Sequence, residues 1–366
     1  HRRLADTPRA KSTMTPVERR VRDRIIQSGP ISIAEYMEIA LSDPDHGYYR
    51  TRDPLGAAGD FVTAPEISQV FGELIGLWCA TMWQAVGAPD DVRLVELGPG
   101  RGTLMADAIR AAECVPNFLA AADIHLIETS PTLRVRQHDV LEALHPTWHE
   151  HFAEVPDGPC MVIANEFFDA LPVEQFVRTP DGWRRRGIGI DDSAGDLCFV
   201  LTDSGLTIPA PFQDAPLGVP CELRPDAEML VDKIARRISR GGCAALIIDY
   251  GHAVRTPGET LQAVRRHRFD GVLNQPGLAD LTAHVDFAVM AETARAAGAD
   301  AHGPVTQGVF LDRLGLGVRV QLLCESAPER AEEIQAGCRR LRDPDKMGKL
   351  FKALAITPRG SPPPAG

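Results

Sequence analysis

Apolar residues recur at helical spacing from Thr15 to Leu41, where Val17, Val21 and Ile25 are followed by Ile33, Tyr36, Met37 and Ala40. The Ser28-Gly29-Pro30 break divides this stretch into two predicted helices. Ser42 to Pro65 is rich in Gly, Pro and Asp and too long to be an idle connector in a compact domain, so it is expected to line something. A buried helix is predicted over Pro65 to Val86, carrying Val70, Phe71, Leu74, Ile75, Leu77, Trp78 and Met82. Farther on, Val92–Leu97, Ile124–Glu128, Cys160–Ala164 and Ala244–Tyr250 are continuous apolar runs, the pattern of strands buried on both faces. Helical patterns at Thr103–Glu113, Pro131–Leu144 and Asp226–Arg240 fall between some of them. Such alternation predicts an α/β fold with a Rossmann-like, mostly parallel sheet, whose ligands bind beyond the C-terminal ends of the strands.

Between Val173 and Leu223 the texture changes. Val173–Arg178, Trp183–Ile190 and Leu197–Thr202 are strand-like and separated by Pro180-Asp181-Gly182 and Asp192-Ser193-Ala194-Gly195, which predicts an antiparallel β insertion over residues 173–224. The sheet core then spans 91–172 and 225–357, behind an N-terminal helical or lid region over 14–90. Residues 1–13 lack an apolar period and precede Met14, so a disordered extension is expected, with a cleaved transit remnant as the alternative. Residues 358–366, ending Ser-Pro-Pro-Pro-Ala-Gly, are expected to form a disordered tail.

Charge narrows the partners. With 39 Lys+Arg against 50 Asp+Glu in 366 residues, the net charge of −11 argues against a general nucleic-acid or anionic-membrane binder. No apolar run approaches the roughly 20 residues needed to span a bilayer. The eight cysteines are scattered without a CxxC pair and read as buried thiols of a reducing compartment, cytoplasmic or organelle matrix.

The sharpest local signal is Leu94-Val95-Glu96-Leu97-Gly98-Pro99-Gly100-Arg101-Gly102-Thr103, a strand running through a glycine-rich turn into a helix. Gly98, Gly100 and Gly102 allow a tight turn and let a ligand approach the backbone at a helix N-terminus. A dinucleotide fingerprint would place its third glycine where Thr103 stands. Glu96, two residues before the first glycine, instead suits a ligand with a cationic amino-acid end, as in S-adenosylmethionine (SAM). Glu128 ends the second strand where the ribose hydroxyls of a bound nucleoside would lie, or else caps the helix beginning near Ser130-Pro131.

The chain resembles the MidA-like family of class I SAM-dependent methyltransferases, which includes a mitochondrial complex I assembly factor that methylates a protein arginine. The matching strings are Gly47-Tyr48-Tyr49, Gly59 to Glu73, Glu96 to Thr103, Asn165-Glu166-Phe167-Phe168-Asp169-Ala170-Leu171-Pro172-Val173, Ile248 to His252, Gly277 to Phe287 and Lys346 to Lys352. Asn165 stands where the mitochondrial members carry His, which suggests a bacterial-type member and a cytoplasmic location, with the mitochondrial matrix as the other possibility. The resemblance implies a protein substrate, a respiratory complex I subunit or its bacterial counterpart, and SAM as cofactor.

Methylating a guanidinium requires carboxylates that orient it and take up one proton, since its own pKa exceeds roughly 12. Glu166 and then Asp169 are the expected catalytic residues at the end of the Cys160–Ala164 strand, with Asp169 as a turn cap the alternative reading. The Gly59–Glu73 string is expected to form part of a cofactor lid, with Asp60, Phe61 and Thr63 near the cofactor and Glu66 and Glu73 near the substrate. Asn165, Asp249, His252, His284 and Asp286 are further expected substrate contacts. The His145, His149 and His151 cluster is broken by Pro146, so no metal is expected. Arg184-Arg185-Arg186 is a solvated face or meets an acidic partner. Two other functions stay open at this point: NAD-dependent oxidoreduction on the same fold, and a non-catalytic SAM-binding assembly factor.

Overall fold

Each continuous apolar run forms a strand whose successive side chains enter two different cores, as the two-residue period of an extended chain requires. In the strand Cys160–Asn165, Met161 and Ile163 pack with Leu94, Leu246, Phe71 and Met105 on one face, while Val162 and Ala164 pack with Val95, Ile247, Val231 and Ile234 on the other. The computed structural model describes residues 14–51, 56, 59–203, 205, 208 and 212–366; the expected N-terminal extension lies outside them.

Across the main sheet the order is Ala299–Thr306, Phe351–Pro358, Ala244–His252, Cys160–Asn165, Val92–Leu97, Ala122–Ile127 and Thr147–His149. The last five of these run parallel, while Phe351–Pro358 is antiparallel to both of its neighbours. Chain order reverses between Val92–Leu97 and Cys160–Asn165, so a crevice opens beyond their C-terminal ends.

Helices Pro16–Ser28 and Ile33–Ser42 build a third core with Val173, Ile188 and Leu281. Between them Ile31–Ser32 pairs antiparallel with Gly187–Ile188, which joins the lid region to the insertion. The insertion strands Glu174–Thr179, Gly182–Ile190 and Leu197–Asp203 are antiparallel as expected. The helix expected over Pro65 to Val86 is two, Ala64–Ile67 and Gln69–Ala85, because extended Ser68 interrupts it and its hydroxyl accepts from the Val70 N–H at 3.3 Å. Three further expectations change. The tail packs rather than wanders, with the Trp78 indole N–H donating to the Ala365 carbonyl at 3.0 Å and Arg313 to that of Gly366 at 2.9 Å. Cys114 is exposed, beyond the end of helix Thr103–Ala112, and Cys198 and Cys324 are half-buried. The Arg184–Arg186 run is neither free nor unpartnered: Arg184 meets Asp203, Arg185 lies 3.5 Å from Glu174, and Arg186 meets Glu259 and covers the Phe199 ring.

Candidate active site

A cavity of about 310 Å³ occupies the crevice. Its floor comes from the strand ends, through Glu96, Gly98, Gly100, Ile127, Glu128, Asn165 and Glu166, and its opposite wall from Tyr49, Arg50, Phe61, Thr63 and Glu66. The Ser42–Pro65 stretch therefore does line a site. Arg50 ties it down by donating to the Thr129 carbonyl.

Gly98 and Gly100 take left-handed backbone angles, φ +62° and +56°, which bring main-chain atoms to the cavity surface. Gly102, also left-handed, lies one step behind them: a Cβ there would come within 3.0 Å of Leu141, so it serves the packing of helix Pro131–Leu141 rather than the cavity wall. Thr103 shows why a third fingerprint glycine is not needed, since its hydroxyl donates to Glu66. Glu96 is buried and its Oε2 has no hydrogen-bond partner among the described residues; burial pushes its carboxyl up to about 8. Glu128 makes the local bonds of a cap and stands at the cavity wall besides. Its Oε1 accepts from the Ser130 N–H at 2.7 Å and its Oε2 from Gln137 at 3.0 Å, yet it also lines the cavity. Burial raises its carboxyl despite those bonds.

Glu166 follows the strand Cys160–Asn165 with φ +51°, a left-handed conformation that a non-glycine residue adopts only under constraint. Its N–H donates to the Ile248 carbonyl at 2.9 Å. Oε1 accepts from the Ala64 N–H at 2.7 Å and from Asn165 Nδ2 at 3.3 Å, while Oε2 accepts from none of the described residues. Burial pushes this carboxyl up to about 7, with the charge of Asp169 adding to it. Asn165 Oδ1 is likewise buried without a partner.

Asp169 departs from expectation. It is buried and absent from the cavity wall, held through the Tyr250 hydroxyl and through its carbonyl, which accepts from the Ala283 N–H at 3.0 Å. The turn cap is Asp249 instead: its Oδ2 accepts from the N–H groups of Phe168 and Asp169 at 3.0 and 3.1 Å. Fully buried and absent from the cavity wall, Asp249 braces the Glu166 loop from beneath.

The lid residues also divide. Phe61 and Thr63 line the cavity, but Asp60 is buried behind it, accepting from the Tyr48 hydroxyl at 2.8 Å and the Arg266 N–H at 2.7 Å. Glu66 lines the cavity while bracing Thr103 and Arg101. Glu73 is 1% exposed in helix Gln69–Ala85 and points away from the site, bound by Arg319 at 2.7 Å and Arg110 at 3.1 Å. Burial would raise its carboxyl, but the Arg319 and Arg110 bonds outweigh burial and hold it below the usual range. Glu73→Ala is expected to lower stability by about 2 kcal/mol, because it removes the carboxylate that Arg319 binds and one of the two that Arg110 binds, the other being Asp107 at 2.7 Å, while leaving SAM affinity unchanged. Urea unfolding alongside calorimetric titration reads both. A carboxyl whose folded pKa is depressed stabilises above its unfolded value, so the wild-type advantage should shrink as pH falls through the acidic range.

His252, His284 and Asp286 lie elsewhere, lining a small second cavity that shares no wall residue with the first. Asp286 caps helix Phe287–Ala296, accepting from the Val289 N–H at 3.1 Å, and pairs with Arg255 at 2.9 Å. Of the histidine cluster, His149 Nε2 lies 2.9 Å from His125 Nδ1. Residue-by-residue reading missed Tyr49 and Asp280. Tyr49 lines the cavity and donates its hydroxyl to buried Asp280 at 2.7 Å, joining two strings that the resemblance had brought out separately.

The orphaned Glu96 Oε2 and Asn165 Oδ1, beside a backbone bared by two left-handed glycines, suit a nucleoside with a cationic amino-acid end. Residues 74–305 match a family model described as S-adenosyl-L-methionine-dependent methyltransferase. The mitochondrial protein arginine methyltransferase NDUFAF7 of Mus musculus is 38% identical over 96% of this chain and 86% of its own, and that of Xenopus laevis 39% over 92% and 83%. A COG1565 superfamily member from Burkholderia thailandensis, crystallised with S-adenosyl-homocysteine (SAH), has a TM-score of 0.84 at 29% identity, covering 95% of this chain and 93% of that one. The chain belongs to the MidA-like family of class I SAM-dependent methyltransferases, and SAM is its cofactor.

Proposed function

We propose that this methyltransferase modifies an arginine of a protein substrate, a respiratory complex I subunit or its bacterial counterpart. The observation that carries the reading is Glu166: one carboxylate oxygen fixed by the Ala64 N–H, the other open, at the cavity wall. The names of the mitochondrial relatives support an arginine acceptor. When bound, SAM supplies an electrophilic methyl group on a sulfonium. Glu96 would face its amino-acid end, Glu128 its ribose, and the Gly98–Gly100 backbone its middle. Glu166 would accept N–H bonds from the guanidinium, localise its charge and take up the proton released as the nitrogen is alkylated. A carboxyl held near neutrality suits that last task better than one with an ordinary pKa. Because no helix among the described residues is long and apolar enough to cross a membrane, the reading needs no bilayer placement, and a cytoplasmic or matrix location fits it.

Tritiated SAM incubated with this protein and a complex I-deficient lysate, followed by mass spectrometric mapping, tests the proposal. Label on an arginine of a complex I subunit is expected. Label on another residue type overturns the arginine reading, and absence of label from a protein that binds SAM favours the assembly-factor reading. NAD chemistry loses its footing with the family assignment; calorimetry is expected to show SAM binding and none for NAD.

A further inference from the structure

We propose that Tyr49, held by Asp280, is the residue that selects the guanidinium on the acceptor side of the cavity; the inference rests on the arginine reading above. Tyr49 lines the cavity, and its ring is fixed edge-on against Tyr48 with centroids 5.1 Å apart. Its hydroxyl donates to Asp280 Oδ1 at 2.7 Å, across 231 residues of sequence. A phenol with its proton committed to a carboxylate offers only oxygen lone pairs to its other side. Such a wall accepts an N–H and disfavours a carbonyl, which would meet oxygen with oxygen.

The surroundings favour a cation at the same point. Asp280, Asp169 and Asp249 are all buried, and the charge of Asp169 acts on each of the other two and on Glu166. Among the described residues the buried guanidinium in this region is Arg224, and its terminal nitrogens are taken by the Phe168, Leu171 and Ala283 carbonyls. The charge of Arg224 reaches Asp169 and Asp249, while Asp280 feels two further acids, Asp169 and Asp60. Burial and then Asp169 push the Asp280 carboxyl up to about 8, and a guanidinium beside Tyr49 would reverse that penalty by favouring the ionised carboxylate that Tyr49 donates to. Burial also keeps the Tyr49 hydroxyl protonated, well above its ordinary range.

The test uses two adenosine probes that differ only at the end of a 5′ chain, one carrying a guanidino group and one its neutral ureido isostere. Their affinities are measured by calorimetry against the full-length wild type, Tyr49→Phe and Asp280→Asn, with SAH as reference. The wild type is expected to prefer the guanidino probe, and Tyr49→Phe, which keeps the ring and its packing, to lose roughly tenfold or more of that preference with SAH affinity within about twofold. Asp280→Asn should cut the preference in the same direction. An undiminished preference in Tyr49→Phe overturns this inference while leaving the arginine reading intact. Equal affinity of the wild type for both probes sinks the arginine reading and this inference with it.

Discussion

Glu166→Gln is expected to reduce methyl transfer by roughly 10²–10⁴-fold while SAM affinity stays within a few-fold. The amide keeps the size of the carboxylate and an oxygen to accept from the Ala64 N–H, so the strand end and the cavity floor should persist. What it loses is the open Oε2 as an anionic acceptor of guanidinium N–H bonds and of the released proton. The wild-type pH profile offers a second reading of the same group. Because the free carboxyl lies near pH 7 and acts as a carboxylate, log kcat/KM should fall with unit slope as pH drops below that point. The variant's residual activity should lack that limb. Stopped-time assays with tritiated SAM measure both, and unchanged turnover in Glu166→Gln would remove this residue from the mechanism.

Gly100→Val should act on the other half of the site, weakening SAM binding on the order of a hundredfold. Valine at φ +56° is strained by its β-branch, and the added carbons would stand where main-chain atoms meet the ligand. The Gly100 carbonyl also accepts from Gln137 at 2.7 Å, so a backbone forced out of this conformation would disturb Glu128, the second partner of that amide. Calorimetry gives the affinity, and circular dichroism guards against simple unfolding. Full affinity in this variant would contradict the placement of the cofactor. Undiminished complex assembly by a variant unable to hold SAM would favour the non-catalytic role.

Much of the frame was legible from the chain because its causes are local. Continuous apolar runs such as Cys160–Asn165 serve two cores at once, and that doubling is visible as missing alternation. The glycine loop is legible for the same reason, since positive φ at Gly98 and Gly100 needs no distant partner. Carboxylates were harder. Glu73 and Glu66 sit seven residues apart in one string, yet one neutralises Arg319 and the other supports the glycine loop, a choice made by helices far away in sequence. Asp169 and Asp249 both lie off the cavity wall, and Asp249 takes the turn cap considered for Asp169, because a turn can be capped from another strand as readily as from within. The Gln262–Arg265 and Arg268–Asp270 hairpin escaped notice altogether. Its tip is Arg266-His267, both with positive φ and without the Asn-Gly chemistry that announces such turns, and buried Asp60 supplies the missing hold by accepting from the Arg266 N–H.

The left-handed backbone at Glu166 sets durability against turnover at a single position. A large side chain there holds a main-chain conformation worth about 1–3 kcal/mol of strain and keeps a carboxyl out of water. Glu166→Gly would release both at the loss of two side-chain hydrogen bonds, from the Ala64 N–H and Asn165 Nδ2, each worth about 1 kcal/mol. Mutants selected only for heat resistance should therefore drift toward inactivity at this site, so a screen for hardier forms of the enzyme needs a second selection for product formation.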